Sequence, residues 1–187
     1  MKKLFTIIFA ACLLFSSIKT FAQKETKKWS IGILSEGGLP LGDAKNIYQA
    51  TSGLSLRFSY HVGPGFVTLS GGAVAYIPKN LFSPSNLFDT SGTSNFKIGL
   101  QIPIKVGYKF IFDHHFFVMA EVGNSIFRVY YDDGNDHVAS TKLSGGFTFA
   151  AAAGVQFGSY ELGIKYETIS VTGGSISNIG LRTGVNF

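Results

Sequence analysis

Cysteine is almost absent from this chain of 187 residues, and the single one is Cys12. It lies in the apolar stretch from Leu4 to Phe15, so neither disulfides nor thiolate chemistry are expected beyond it. Proline is scarce, at five residues, and charged residues make up only 14%. After residue 22 no uninterrupted apolar run approaches helix-spanning length, although 45% of the chain is hydrophobic. The apolar residues must therefore be carried on alternating positions. Much of the net charge of +5 sits near the start, in Lys2, Lys3, Lys19, Lys24, Lys27 and Lys28, which removes nucleic acid as a partner.

The chain opens with the basic Met1-Lys2-Lys3, the apolar core just described and the small-x-small ending Thr20-Phe21-Ala22. That order predicts a cleaved signal peptide over residues 1–22, with one domain over 23–187. The run Phe9-Ala10-Ala11-Cys12 faintly resembles a lipid-attachment box, but cleavage there would leave Leu13-Leu14-Phe15 on the mature start. Export by signal peptidase is the reading adopted.

The remainder is rich in glycine (23) and phenylalanine (18), and it alternates. From Phe96 to Phe110 every second residue is apolar, against Lys97, Gly99, Gln101, Pro103, Lys105, Gly107 and Lys109. Similar alternation begins at Trp29, Leu54, Phe66, Phe116, Leu143, Tyr160 and Ile176, which makes eight strands. Pro103 suggests a bulge within the fourth, because proline cannot donate to a ladder. Residues 36–52, with one helical turn around Ala44 to Tyr48, 78–95 and 132–141 read as polar loops, while Gly63-Pro64-Gly65, Asp113-His114-His115, Gly158-Ser159 and Gly173-Gly174 read as tight turns. Strands that each exceed the roughly 9 to 11 residues of a tilted crossing, joined by mostly alternating short and long connections, predict an all-β fold. The expected architecture is an eight-stranded antiparallel up-and-down transmembrane β-barrel.

A membrane barrel turns its apolar face outward and its polar face into the lumen. Two-residue hairpins at Gly158-Ser159 and Gly173-Gly174 would pair Val155 with Leu162, Tyr160 with Phe187 and Lys165 with Arg182. The last pair opposes like charges and requires a nearby anion. An interior ion network of Arg57, Glu121, Lys165, Glu167 and Arg182 is therefore expected, filling the narrow lumen of an eight-stranded barrel.

The exported start, the glycine- and aromatic-rich strands and the ending Gly184-Val185-Asn186-Phe187 resemble the small outer-membrane barrels of the OmpA and OmpX type, especially the barrel-domain family of Bacteroidota that includes PorT-like proteins. The resemblance spans essentially all of 23–187, in patterns rather than fixed residues. It implies location in the outer membrane of a Gram-negative bacterium, with both termini periplasmic and lipid and lipopolysaccharide as surroundings. It also implies a C-terminal strand read by the barrel-assembly machinery, with Phe187 and Tyr160 as assembly signal and girdle residues.

No cofactor, metal or catalytic residue is expected. Asp113, His114 and His115 share a turn, and Asp132, Asp133, Asn135 and Asp136 surround Gly134, but neither spacing matches a metal site. His137 and Ser140 beside Asp136 nominally supply the parts of a lipid A-modifying enzyme, though such residues are ordinary in a polar loop. A soluble lipocalin-like carrier would expose Lys105, Lys165 and Arg182 around an apolar cavity. Leu81, Phe82, Leu87 and Phe88 place apolar side chains in the second loop, as a contact for an envelope protein partner or as a cap on the rim. The function expected is a non-enzymatic outer-membrane barrel acting structurally or through its outer loops, with a narrow channel or ligand site as the alternative.

Overall fold

A computed structural model describes residues 28–79, 97–113, 115–132, 138–140, 144–171 and 174–187. The strands are β1 (Trp29–Leu41), β2 (Tyr48–Val62), β3 (Gly65–Pro78), β4 (Lys97–Phe112), β5 (Phe116–Asp132), β6 (Val138–Ser140), β7 (Ser144–Phe157), β8 (Tyr160–Val171) and β9 (Gly174–Asn186). A short helix, α1 (Ala44–Ile47), sits between β1 and β2. Eight long strands pair antiparallel with their neighbours in sequence, and β1 closes the cylinder against β9. The three-residue β6 pairs with the end of β5 beyond the reach of β7, so it extends that hairpin rather than adding a crossing. Closure leaves no long strand with an unpaired edge, which is what a sheet surrounded by hydrocarbon requires.

The alternation in the sequence becomes two concentric surfaces. Outward lie Leu54, Ile104, Ile164 and Leu181, with Ile104 64% exposed. Inward lie Arg57, Lys105, Glu121, Glu167 and Arg182, none more than 3% exposed. A water-soluble domain would place these two sets the other way round. Around the tight-turn rim, Trp29, Tyr60, Phe112, Phe116, Phe157, Tyr160 and Phe187 are all exposed, forming an aromatic girdle of the kind found at a membrane border. Trp29 stacks on Phe58 at 6.5 Å, and Phe112 on Phe116 at 5.8 Å.

Three local expectations need correction. The segment 36–52 is mostly strand: β1 continues to Leu41 and β2 begins at Tyr48, paired through Glu36↔Gly53 and Gly37↔Ser52. Glu36 and Thr51 face the lumen, and only the short connection with Gly42, Asp43, Lys45 and Asn46 is solvated. Pro103 marks no bulge, because Pro103↔Ser125 stays in register with β5. The β3 ladder resumes in the same register beyond it, from Gly71↔Ile104 to Val74↔Gln101.

The third correction concerns the last hairpin. Phe157↔Tyr160, Val155↔Leu162 and Ala151↔Tyr166 pair as expected, with Gly158 at φ +58 supplying the turn. Between β8 and β9, however, the ladder closes on Val171↔Gly174, so Gly174 belongs to the strand. Moving the turn by one residue moves every pair by two. Tyr160 faces Val185 rather than Phe187, and Lys165 faces Gly180 while Arg182 faces Gly163. The expected opposition of Lys165 and Arg182 is thereby removed.

Candidate functional site in the barrel interior

Inward positions of five strands carry six ionised side chains toward one level of the lumen. Glu36 comes from β1, Lys105 from β4, Glu121 from β5, Lys165 and Glu167 from β8, and Arg182 from β9. Lys165 bonds Glu36, and its Nζ lies 2.7 Å from Glu167 Oε2. Glu167 accepts from Lys105 at 2.8 Å, and Lys105 lies 3.6 Å from Glu121. Arg182 then joins Glu121 at 3.1 Å to Glu36 at 2.9 Å. The contacts close into a ring in which every cation touches two carboxylates and every carboxylate two cations.

Such a ring answers the cost of burying charge. An isolated ion in a dry interior would be strongly disfavoured, whereas alternating partners that also hydrogen-bond offset much of the lost hydration. The remaining carboxylate oxygens are shared among neutral donors. Ser70 Oγ donates to Glu121 at 2.7 Å, Thr148 Oγ1 to Glu167 at 3.4 Å and Ser55 Oγ to Glu36 at 3.5 Å, and the Gln101 amide also bonds Glu167. Gly107 makes room for this packing: a Cβ there would meet Ala120 O at 2.3 Å and Glu121 Cγ at 2.8 Å.

Above and below the ring the lumen is filled differently. Toward the long loops, Tyr76 donates to Gln101 Oε1 at 3.1 Å and accepts from Asn178 at 3.0 Å. Its ring meets Tyr48 edge-on at 5.4 Å and Phe127 at 5.3 Å, and Ala44, Val74 and Ile169 complete an apolar cap. Toward the tight turns, Glu161 Oε2 bonds Arg57 and takes Lys109 at 2.7 Å. Met119 Sδ lies 3.7 Å from Arg57 Nη1 and 3.9 Å from Arg182 Nη1, linking this lower group to the ring.

Similar cylinders occur among solved structures. Ail, the attachment invasion locus protein of Yersinia pestis, matches with a TM-score of 0.59 at 13% identity, covering 85% of this chain and 97% of that one. The N-terminal β-barrel domain of Pseudomonas aeruginosa OprF matches at 0.57 and 14%, over 84% and 97%. Neisserial surface protein A matches at 0.50 and 13%, over 84% and 94%. The chain has the fold of the small eight-stranded outer-membrane barrels. No family model and no curated protein matches the sequence.

Of the five interior residues picked out in the sequence, four, Glu121, Lys165, Glu167 and Arg182, fall in the ring, and Arg57 falls in the lower group. Sequence reasoning missed Glu36, Lys105, Lys109 and Glu161. Lys105 and Lys109 share the parity of Gln101 on the polar face of β4, and Glu161 shares that of Lys165, so the period of two already placed them inward. Glu36 was hidden by its glycine-rich surroundings, although it continues the parity of Gly32. Phe187 and Tyr160 both lie on the tight-turn rim. Phe187 exchanges backbone hydrogen bonds with Ile31, and Asn186 N–H donates to Ser159 O. Leu81, Phe82, Leu87 and Phe88 lie outside the described residues, as do His114, Asp136 and His137.

Proposed function

We propose that the protein is a non-enzymatic integral outer-membrane barrel of a Gram-negative bacterium, whose lumen is sealed by side chains. Residues 1–22 direct export and residues 23–187 form the barrel domain. Both termini and the tight turns face the periplasm, where the aromatic girdle with Tyr160 and Phe187 meets the inner leaflet. Phe187 closes the strand that the barrel-assembly machinery reads. The protein works structurally or by binding an envelope partner through the long-loop mouth, where Leu81, Phe82, Leu87 and Phe88 are the contact residues.

The observation that carries this reading is the six-charge ring inside an apolar outer surface. A ring that joins β1, β4, β5, β8 and β9 across the cylinder occupies the path that an ion would need. A narrow conduit is the second reading, favoured by the polar side chains that follow one another along the lumen from Lys109 to Gln101 and Asn178. Planar-bilayer recording separates the two. The sealed barrel inserts without conductance steps, and stable open-channel steps would establish the conduit. Gel migration that shifts on heating, after extraction in detergent, tests the barrel itself.

A further inference from the structure

Below the ring, the lumen opens into a cavity of about 280 Å³ at the tight-turn mouth. One water occupies about 30 Å³ in the liquid, so the space takes a polyatomic solute with part of its hydration. Its walls carry the polar Ser30, Ser59, Lys109, Gln156, Ser159 and Asn186, with Phe66 and Phe187 beside them.

Charge decides the sign of the solute. The central ring is neutral, with three carboxylates and three cations, but the lower group sets Arg57 and Lys109 against Glu161 alone. Both cations converge on the same oxygen, Glu161 Oε2. An ammonium has three donors. Lys109 places one on Glu161 and one on Gln156 Oε1, each at 2.7 Å, while its Nζ also stands 4.4 Å over the Phe117 ring and its side chain lines the cavity. In the same group Arg57 Nε and Glu161 Oε1, both buried, have no hydrogen-bond partner among the described residues. The terminal residue Phe187 reaches the cavity wall, but its backbone is bonded to Ile31, and no ion pair joins it to Lys109 among the described residues.

We propose that this vestibule binds a small oxyanion, a phosphate or a carboxylate, with Lys109 supplying the charge and Ser30, Ser59 and Ser159 the neutral donors. The solute enters from the turn side and stops at the ring, so the site is blind-ended and compatible with a sealed barrel. In the orientation proposed above, the ligand comes from the periplasm. Its binding does not depend on that orientation.

Calorimetric titration of the detergent-extracted protein with inorganic phosphate and, separately, with acetate, against chloride at matched ionic strength, tests the proposal. Saturable heat is expected with at least one of the two oxyanions, and which of them gives it identifies the ligand as phosphate or carboxylate. Lys109→Met should weaken binding by about tenfold or more, in line with loss of a hydrogen bond to a charged group. Ser30→Glu brings a carboxylate to the wall without disturbing Glu161, and it should abolish binding even where Lys109→Met fails to fold. Lys79→Met, at the opposite mouth, should bind like the parent. Heats that match chloride, or binding retained in both Lys109→Met and Ser30→Glu, would overturn the proposal while leaving the barrel reading intact.

Discussion

Replacing Glu121 with glutamine removes one negative charge from the ring while preserving the side chain's shape and an oxygen for Ser70 to bond. Lys105 and Arg182 each lose one of their two carboxylates, and the ring passes from neutral to a net positive charge. Removing one partner of a buried ion pair costs about 3 to 5 kcal/mol. The lower end applies here, about 3 kcal/mol, because each cation keeps its second carboxylate. At roughly 2 to 4 °C per kcal/mol for a chain of this length, the unfolding temperature should fall by about 6 to 12 °C. Trp29, the only tryptophan, sits on the exposed rim, so its emission during a urea titration also reports barrel opening. The double variant Lys105→Gln with Glu121→Gln restores neutrality and should lose less than the sum of the two single variants. An unchanged midpoint in Glu121→Gln, or strict additivity in the double variant, would refute the ring as a cooperative unit.

Three further outcomes follow from the same geometry. Ile104→Arg puts a charge on the outer face halfway along β4 and should destabilise the barrel in lipid by about 2 to 4 kcal/mol, measured by urea titration in vesicles; a neutral effect would mean that this face is not in hydrocarbon. Tyr76→Ala should cost about 3 to 5 kcal/mol, as large aromatic truncations do, yet produce no conductance in a planar bilayer, because the ring below still fills the lumen. Channel steps in that variant would make the aromatic cap the seal instead. Gly107→Val should prevent refolding to the compact gel form, since even a Cβ would lie 2.3 Å from Ala120 O.

The fold was legible because β4 repeats its period of two over 16 residues and because every strand near it carries the same alternation. Register was legible only where a turn was unambiguous. Gly158-Ser159 has apolar residues on both sides in matching phase, and its ladder pairs as read. At the last hairpin two adjacent glycines competed with Thr172-Gly173, and composition does not choose between turns one residue apart. The four missed lumen charges have different causes. Lys105, Lys109 and Glu161 have the correct parity, but parity gives the face of a strand and not the height at which side chains meet across a cylinder. That height depends on strand tilt and stagger, which no single segment encodes. Glu36 sits where polar composition imitates a loop, since a lumen-facing strand end and a solvated turn draw on the same residues.

The central claim is that hydrocarbon surrounds the outer surface while the charges meet inside, and cysteine scanning along β4 tests it most directly. With Cys12 replaced, single cysteines at positions 100 to 106 carry a spin label in vesicles, and collision with lipid-soluble oxygen is compared with a water-soluble nickel chelate. Labels replacing Leu100, Ile102, Ile104 and Val106 should collide with oxygen, and those replacing Gln101, Pro103 and Lys105 should be shielded from it, giving a period of two. The opposite phase, or even exposure of Ile102 and Ile104 to the chelate, would contradict the account.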